Sequence, residues 1–287
     1  MSILRVNNLS HSYGGNSPFI YDALSNVSFS VEKGEILGII GHTGSGKSTL
    51  VQHLNGLLKP TNGEILINGE NIWDNPKEIR KIRSKVGLVF QYPEYQLFEE
   101  TVFADIAYGP KNMGLSGEEL DERVKEICNM IGIKPEYYEK SPFDLSGGEK
   151  RRVAIAGVMA MKPEIIVFDE PTAGLDPIGR QTVNEIIENY RKNTGATVIV
   201  VSHNMEDMAE ITDKLLVLNK GEVVMFDKTE KVFSNNELLE SIGLNVPMVT
   251  KIFILLKRRG LSIDKNVFTI SEAVKALNNL KAGDNNA

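Results

Sequence analysis

A chain of 287 residues is longer than one average domain, so we expect one large domain or one large and one small domain. Hydrophobic residues make up 41% and charged residues 24%, which is typical of a folded protein and excludes wholesale disorder. The net charge of -6 argues against binding nucleic acid by bulk electrostatics, and the single cysteine excludes an intrachain disulfide and favours a reducing compartment.

The first third of the chain is predicted to contain strands and one helix. Val27, Phe29 and Val31 alternate with polar residues, which indicates a half-buried strand. Residues 36–40 are continuously apolar, as expected for a strand buried on both faces. No basic start with a long apolar run is present, so we expect neither a signal peptide nor a membrane span. Further predicted elements are strands over 1–12, 64–68 and 86–90 and a helix over 47–55.

The middle of the chain, residues 92–144, is predicted to be entirely helical. Its clearest helix covers 115–131, where Ser116 and Glu119 fit a capping box. Cys128 lies in the apolar stripe of that helix, which indicates a buried, unreactive thiol. Because the stretch interrupts an alternating series of strands and helices, we interpret it as an inserted helical subdomain.

The alternation then resumes, with strands predicted over 165–169, 197–201 and 215–218. Asp176 and Pro177 begin one intervening helix as N-cap and first helical residue, and 204–212 forms another. Strands separated by helices indicate an α/β fold with a largely parallel sheet. After residue 234 the pattern changes to short helices, over 237–242 and 247–259 and one capped by Ser271. We therefore predict a main domain over 1–234 and a small helical domain over 235–287.

The segment 41–48 fits the pattern G-x-x-x-x-G-K-[ST] between a strand and a helix. Its glycines let successive backbone N–H groups face phosphate oxygens at a helix N-terminus, where the partial charge is positive. Lys47 can reach the β- and γ-phosphates, and Ser48 can ligate Mg²⁺. The candidate nucleotide-binding residues here are Gly41, His42, Thr43, Gly44, Ser45, Gly46, Lys47, Ser48 and Thr49.

Two carboxylates, Asp169 and Glu170, follow the apolar strand predicted over 165–169. Ligands of open α/β sheets bind at this carboxyl end of the strands. We expect Asp169 to hold Mg²⁺ through its water shell and Glu170 to orient and polarise the attacking water. A simple helix cap is the alternative, and the phosphate-binding loop argues against it.

A second anion site is indicated by Ser146, Gly147 and Gly148, which begin a helix with bare amides and a hydroxyl. A chain that already has a phosphate-binding loop needs this second site only for another subunit's nucleotide. In this arrangement the sequence resembles the ATP-binding cassette (ABC) ATPases, whose signature segment completes the ATP site of the opposing subunit in a head-to-tail dimer. The resemblance covers about residues 3–246.

The resemblance implies roles for residues outside these segments. Gln91 matches the glutamine that senses Mg²⁺ and water and contacts the membrane partner, and Asp176 ends a loop at the dimer interface. His203 matches the switch histidine that contacts the γ-phosphate, and Tyr13 the aromatic residue that stacks on adenine. Glu149 departs from the family, where glutamine is common. The implied cofactors are ATP and Mg²⁺, and the implied fold is a RecA-like P-loop core with an antiparallel β subdomain, the inserted helical subdomain and a helical C-terminal appendage.

Segment 91–114 resembles the ATPases of energy-coupling factor (ECF) transporters, and is most similar to the second of their two paralogues. That resemblance implies an ATP-hydrolysing subunit, peripheral at the cytoplasmic side of the cell membrane, that powers an importer for vitamins or for cobalt or nickel ions. The implied partners are a second ABC ATPase, identical or paralogous, a transmembrane coupling protein (T component) and a substrate-capture membrane protein (S component).

Two other functions stay open at this point. One is a soluble ABC ATPase that remodels nucleic acid or a protein assembly, and the other is the ATPase of another ABC importer class. The first predicts a basic face with aromatic side chains for stacking, which this acidic chain offers only in the short run 257–259. We therefore expect no nucleic-acid partner.

Overall fold

The computed structural model describes residues 2–14, 20–260 and 266–284, with side chains of the last helix described as far as residue 279. Met1 and residues 15–19, 261–265 and 285–287, on which parts of the predicted domains fall, lie outside the described residues. The described strands are β1 (Ser2–Tyr13), β2 (Tyr21–Glu32), β3 (Ile36–Gly41), β4 (Asn62–Ile67), β5 (Glu70–Asn71), β6 (Val86–Val89), β7 (Ile165–Asp169), β8 (Thr197–Val201), β9 (Lys214–Asn219) and β10 (Glu222–Lys228).

The described helices are α1 (Lys47–Leu54), α2 (Ile79–Lys85), α3 (Val102–Asn112), α4 (Gly117–Ile131), α5 (Gly147–Met159), α6 (Pro177–Thr194), α7 (Met205–Ile211), α8 (Thr229–Ser234), α9 (Asn236–Ser241), α10 (Met248–Arg258) and α11 (Ile270–Asp284). Between residues 92 and 144 the chain forms α3, α4 and three short 3₁₀ turns, and it contains no strand among these described residues.

The strands form two sheets. The larger has the order β10-β9-β3-β8-β7-β6, in which β3, β6, β7, β8 and β9 are parallel and β10 runs antiparallel at the edge. The smaller is antiparallel, with the order β2-β1-β4-β5. The mixed α/β architecture predicted from the alternating pattern is therefore confirmed. Because β3, β7 and β8 are parallel neighbours, the residues that follow them meet at one edge of the sheet.

Two apolar layers cover the faces of the larger sheet. One packs Leu37, Ile39 and Val167 against α1 and the smaller sheet, whose inward residues include Val27, Phe29 and Val31 as predicted. The other packs the opposite strand faces against α3, α4 and α5. Cys128 is fully buried in this second layer, and burial raises the pKa of its thiol to about 11. The predicted burial of Cys128 in the core is confirmed.

Two predicted helix caps are wrong. Ser116 is the N-cap of α4, but its side chain makes no cap hydrogen bond. The next residue, Gly117, has φ +60°, so the first turn is irregular and its N–H groups are not presented as a capping box requires. In α11 the capping residue is Thr269 and not Ser271, because Ser271 already lies inside the helix. Thr269 Oγ1 accepts from the Glu272 N–H at 3.2 Å, and Glu272 accepts from the Thr269 N–H.

The C-terminal helices pack partly into the main core and partly on each other. Phe233 of α8 and Leu239 of α9 are buried in the layer that covers the larger sheet, as is Leu244 after α9. The helices α10 and α11 form a small core of their own around Phe253 and Ala273. Among the described residues, no helix is both long and apolar enough to cross a bilayer.

Candidate nucleotide-binding site

The loop between β3 and α1 has the geometry of a phosphate cradle. Gly44 and Gly46 have φ values of +81° and +102°, which residues with a Cβ adopt only under strain. A Cβ on Gly46 would also lie 2.6 Å from the Ala23 carbonyl oxygen, and one on Gly41 would lie 2.4 Å from that of Leu218. The backbone therefore requires glycine at these positions, and it presents the exposed Thr43 and Gly44 and the N-terminus of α1 to one cleft. Ser45 is buried beneath the loop.

Most predicted site residues line this cleft. It is bounded by the phosphate-binding loop, the start of α1 and the residues after β6, β7 and β8. Its described lining is Tyr21, Ala23, Thr43, Gly44, Gly46, Lys47, Ser48, Thr49, Gln91, Asp169, Glu170 and His203. The parallel order of the strands thus brings together residues as distant in the sequence as Thr43 and His203, which are 160 positions apart.

Lys47 and two carboxylates form the charged floor of the cleft. Lys47 Nζ donates to the carbonyl oxygens of Gly41 and His42 at 2.6 and 2.8 Å. Burial lowers the pKa of Lys47, while Glu170 and Asp169 oppose that shift. Burial and repulsion by Glu170 raise the pKa of Asp169, and Lys47 partly offsets them. The acidic pair therefore lies where a bound cation would relieve its repulsion.

Glu170 is held in a strained and oriented position. Its φ of +52° is in the left-handed region, which costs a non-glycine residue on the order of 1–3 kcal/mol. Its N–H donates to the Val201 carbonyl oxygen at 2.9 Å, which ties the residue to β8. Its Oε2 lies 2.8 Å from Nδ1 of His203, whose side chain is largely exposed. The pair faces the cleft from two adjacent strands.

The oxygen donors in the cleft suit Mg²⁺ bound mainly through phosphate and water. Ser48, Gln91 and Asp169 supply a hydroxyl, an amide and a carboxylate to the same cleft. Within the described residues, no cluster of three or more His, Cys, Asp or Glu side chains could hold a metal by itself. A small set of oxygen ligands completed by substrate phosphates is the arrangement that Mg²⁺ uses in phosphoryl-transfer sites.

Two tyrosines lie at or beside the cleft. Tyr13 and Tyr21 pair across β1 and β2, as the last residue of β1 and the first residue of β2. Tyr21 lines the cleft and its hydroxyl donates to the Gly44 carbonyl oxygen at 3.5 Å. Tyr13 is not among the lining residues, although its hydroxyl lies 3.3 Å from Thr49 Oγ1. The sequence analysis overlooked Tyr21, because only its register opposite Tyr13 brings it to the cleft.

The C-terminal appendage forms one wall beside the phosphate-binding loop. A ring nitrogen of His42 is hydrogen-bonded to the Ile242 carbonyl oxygen. Gly243, Leu244 and Asn245 line a hollow whose other walls are Gly41, His42, Thr43, Lys47, Glu170, His203 and Met205. The appendage therefore adjoins the site at the side where Glu170 and His203 lie.

Gly243→Ala is expected to destabilise the chain by about 1–2 kcal/mol and to raise the KM for ATP. Gly243 has φ +69°, and a Cβ there would lie 3.0 Å from Cε1 of His42, so alanine adds both strain and a clash. Urea unfolding and ATPase kinetics measure the two effects. Gly195→Ala is the matched control, because Gly195 also has φ +69° but an added Cβ meets nothing within 4 Å. An equal loss of stability in both variants would contradict a role for the His42 contact.

The predicted second anion site is not part of the lining of the cleft. Ser146 is the N-cap of α5, and none of Ser146, Gly147 and Gly148 is among the described residues that line the cleft. Positions 147 and 148 are open, since an added Cβ would meet nothing within 4 Å. Ser146 and Glu149 form a capping box, in which Glu149 accepts from the hydroxyl and the N–H of Ser146 at 2.6 and 2.9 Å. The S-x-x-E signal for this cap is present in the sequence but was overlooked.

Asp176 caps a helix in the structure. Its carboxylate accepts a hydrogen bond from the Gly179 N–H at 2.7 Å, at the start of α6. The predicted N-cap followed by proline is therefore confirmed. Its side chain is exposed and does not line the cleft.

A buried arginine links three functional segments, and the sequence analysis did not single it out. Arg151 of α5 is 3% exposed and forms a bidentate ion pair with Glu94, in the segment that follows Gln91. It also donates to the carbonyl oxygens of Pro171 and Ala173, just after Glu170, at 3.3 and 2.8 Å. The helix that begins at Ser146 is thus tied directly to the segments that carry Gln91 and Glu170.

An open groove is lined by residues of α2, α3 and α5 and by Gln96, Leu97 and Phe98 of the segment that follows Gln91. Its walls include Phe98 and Tyr108, whose rings meet edge to face with centroids 4.8 Å apart. Both side chains are about half exposed, at 56% and 46%. Arg80 and Arg83 of α2 also line the groove and add positive charge to it. Paired exposed aromatic rings in a groove mark a surface suited to a protein partner.

Sequence comparisons show the family to which the chain belongs. The family model described as ABC transporter matches residues 24–173. The energy-coupling factor transporter ATP-binding protein EcfA2 of Clostridium perfringens (strain 13) is 54% identical over 275 residues, which cover 96% of each chain. EcfA2 of Clostridium tetani is 50% identical over 285 residues, covering 99% of this chain and 98% of that protein.

Solved structures give the same result. The structure of cbiO1 from Clostridium perfringens, described as part of the ABC transporter complex cbiONQ, is 35% identical and superposes with a TM-score of 0.76, covering 89% of this chain and 99% of that one. A dimeric post-hydrolysis state of the ATP-binding cassette MJ0796, bound to ADP and Pi, is 32% identical with a TM-score of 0.70. It covers 79% of this chain and 98% of that one.

Proposed function

Because this chain belongs to the ABC transporter family, and within it to the ATP-binding proteins of energy-coupling factor transporters, we propose that it hydrolyses ATP to power an importer of that class. The chain is an ABC ATPase. The observation that carries the proposed reaction is the convergence of Lys47, Asp169, Glu170 and His203 on one cleft beside a glycine-rich cradle.

In this proposal the site residues divide the work of phosphoryl transfer. The loop amides and Lys47 hold the phosphates, and Tyr13 or Tyr21 stacks against the adenine. Ser48, Asp169 and Gln91 would hold Mg²⁺, which would neutralise negative charge on the phosphates during the transfer. Glu170 orients and polarises the attacking water, and His203 contacts the γ-phosphate. Phosphoryl transfer depends on such positioning and electrostatic stabilisation more than on covalent chemistry.

The separation of Ser146–Gly148 from the cleft supports a composite site shared by two chains. In the proposed head-to-tail dimer, Lys47 and His203 hold the γ-phosphate from one side. Ser146 and Gly148 of the opposing chain contact it from the other. ATP thus joins the two subunits, and hydrolysis removes the bridge and lets the dimer open. The opposing chain is a second ABC ATPase, identical or paralogous.

The groove beside Phe98 and Tyr108 is the proposed docking surface for the transmembrane coupling protein. The Arg151–Glu94 pair ties the groove to the nucleotide cleft, because Glu94 lies between Gln91 and Phe98. Opening and closing of the dimer would therefore move the groove. The subunit works at the cytoplasmic side of the membrane, and a separate membrane protein captures the substrate, a vitamin or a cobalt or nickel ion.

Tyr108→Ala is expected to abolish co-isolation of the membrane subunit while leaving ATP binding intact. Removal of the ring eliminates half of the exposed aromatic pair, and central aromatic anchors typically contribute 2 kcal/mol or more to an interface. The tagged chain is isolated from detergent-solubilised membranes of its native cells, and its partners are identified by mass spectrometry. Tyr108→Phe is the matched control, since it keeps the ring. Retention of the membrane protein by Tyr108→Ala would contradict the docking surface, and co-isolation of nucleic acid instead would contradict the transport function.

A further inference from the structure

In the proposed dimer the Ser146 hydroxyl binds the nucleotide of the opposing chain. Within this chain, however, it already donates a hydrogen bond to Glu149. Ser146 Oγ donates to Glu149 Oε2 at 2.6 Å, and the Ser146 N–H donates to the same oxygen at 2.9 Å. A serine hydroxyl carries one proton, so it cannot donate to Glu149 and to a phosphate oxygen at once. Any nucleotide that binds to Ser146 must therefore displace the carboxylate.

The charge of the Glu149 carboxylate is stabilised by more than Ser146. Interactions with Tyr137 and Arg152 also favour the ionised carboxylate and help to lower its pKa. Hydrogen bonds from the Ser146 hydroxyl, the Ser146 N–H and Tyr137 lower the pKa of Glu149, so it stays ionised at neutral pH. The Glu149 carboxylate therefore places a negative charge at the N-terminus of α5, a helix of 13 residues, where the helix dipole is positive.

We propose that Glu149 is an internal placeholder for the γ-phosphate of the opposing ATPase's nucleotide and sets the ATP concentration at which the two ATPases close. The inference rests on the composite site of the proposed function. In the open state the carboxylate satisfies the donors of Ser146. As the dimer closes, the Ser146 hydroxyl donates to the γ-phosphate instead of to the Glu149 carboxylate.

The charge of Glu149 makes this exchange costly in a way that a neutral glutamine does not. Hydrogen bonds to an ionised acceptor are roughly twice as strong as neutral ones. Breaking the bond between the Ser146 hydroxyl and Glu149 therefore costs more free energy than breaking the same bond to a glutamine. The displaced carboxylate then stays close to a phosphate of the same sign, which repels it. Both effects favour the open state. Glutamine can keep the capping box, because its amide oxygen also accepts from the N-cap residue.

Glu149→Gln is therefore expected to lower the ATP concentration for half-maximal dimer formation by about tenfold, or ~1.4 kcal/mol. Dimer formation is measured by light scattering on the full-length chain mixed with its partner ATPase. This chain also carries Glu170→Gln and the partner carries the equivalent substitution, so that ATP is not consumed. In the hydrolysing background the KM for ATP is expected to fall by a similar factor, with kcat changed less than twofold. Damage to the fold would raise both the ATP concentration for half-maximal dimer formation and the KM for ATP. A decrease in both values is therefore specific to the placeholder role.

Glu119→Gln is the matched control, because Glu119 occupies the same third position of α4 without a side-chain cap at that helix. It removes the same charge and is expected to change neither value. An unchanged or higher ATP requirement in Glu149→Gln would overturn the placeholder role. Absence of ATP-dependent dimers in every variant would overturn the composite site itself, so the two failures are distinguishable.

Discussion

Glu170→Gln is expected to reduce steady-state ATP hydrolysis by about 10²–10⁴-fold and to trap the ATP-bound dimer closed. Glutamine keeps the shape of the side chain but cannot accept a proton from the attacking water. Glu170 is well placed for that role, because it follows β7 at the edge where Lys47 and His203 also lie. ATP binding should persist, since the loop and Lys47 are untouched.

The test compares hydrolysis, nucleotide binding and dimer formation in the same preparation. The opposing ATPase must carry the equivalent substitution, because its own site would otherwise continue to hydrolyse ATP. Glu164→Gln is the matched control, since Glu164 is exposed just before the same strand and is expected to leave hydrolysis unchanged. Undiminished hydrolysis with both sites altered would remove Glu170 from its proposed role.

Arg151→Met is expected to lower the free energy of unfolding by about 3–5 kcal/mol, which is the usual cost of breaking a buried ion pair. The substitution leaves the Glu94 carboxylate, 17% exposed, without its partner. It also removes the donors to the Pro171 and Ala173 carbonyl oxygens. Hydrolysis should fall as well, because those carbonyls follow Glu170 directly.

Urea unfolding of full-length variants measures the loss. Arg191→Met is the matched control, because Arg191 pairs with Asp213 at 3.2 Å on the surface, where such pairs contribute about 0–1 kcal/mol. Adding Glu94→Gln to Arg151→Met should restore part of the stability, since the uncompensated charge is gone. A loss below 1 kcal/mol in Arg151→Met, or no recovery in the double variant, would contradict this account.

Local patterns predicted the phosphate-binding side of the molecule well. The strand 36–40 and the helix from Lys47 were placed within about one residue of β3 and α1, because a buried strand, a glycine-rich loop and a helix start all have short-range signals. Asp169 and Glu170 were expected at the carboxyl end of a strand, and parallel pairing places His203 beside them. Alternating strands and helices predict a parallel sheet, and a parallel sheet brings Asp169, Glu170 and His203 to the same edge.

Contacts between distant segments could not be predicted in the same way. His42 and Ile242 are 200 residues apart, and Arg151 and Glu94 are 57 apart. No periodicity or capping signal describes such pairs, since they depend on how finished elements pack. Even a local signal failed at Ser116, where the positive φ of Gly117 disturbs the first turn of α4. Tyr21 could not be predicted at the cleft, because only the register of β2 opposite β1 brings it there.

The wall formed by the appendage constrains how this sequence can change over evolutionary time. Because the ring of His42 lies against Gly243, a smaller residue at position 42 would relieve the clash of a larger residue at position 243, although not its backbone strain. The two positions should therefore co-vary among relatives, although they lie in different parts of the chain. The contact therefore constrains the sequence of the appendage more than that of a typical surface extension. If the appendage were replaced by that of another protein at residue 234, the phosphate-binding loop would have to be replaced with it.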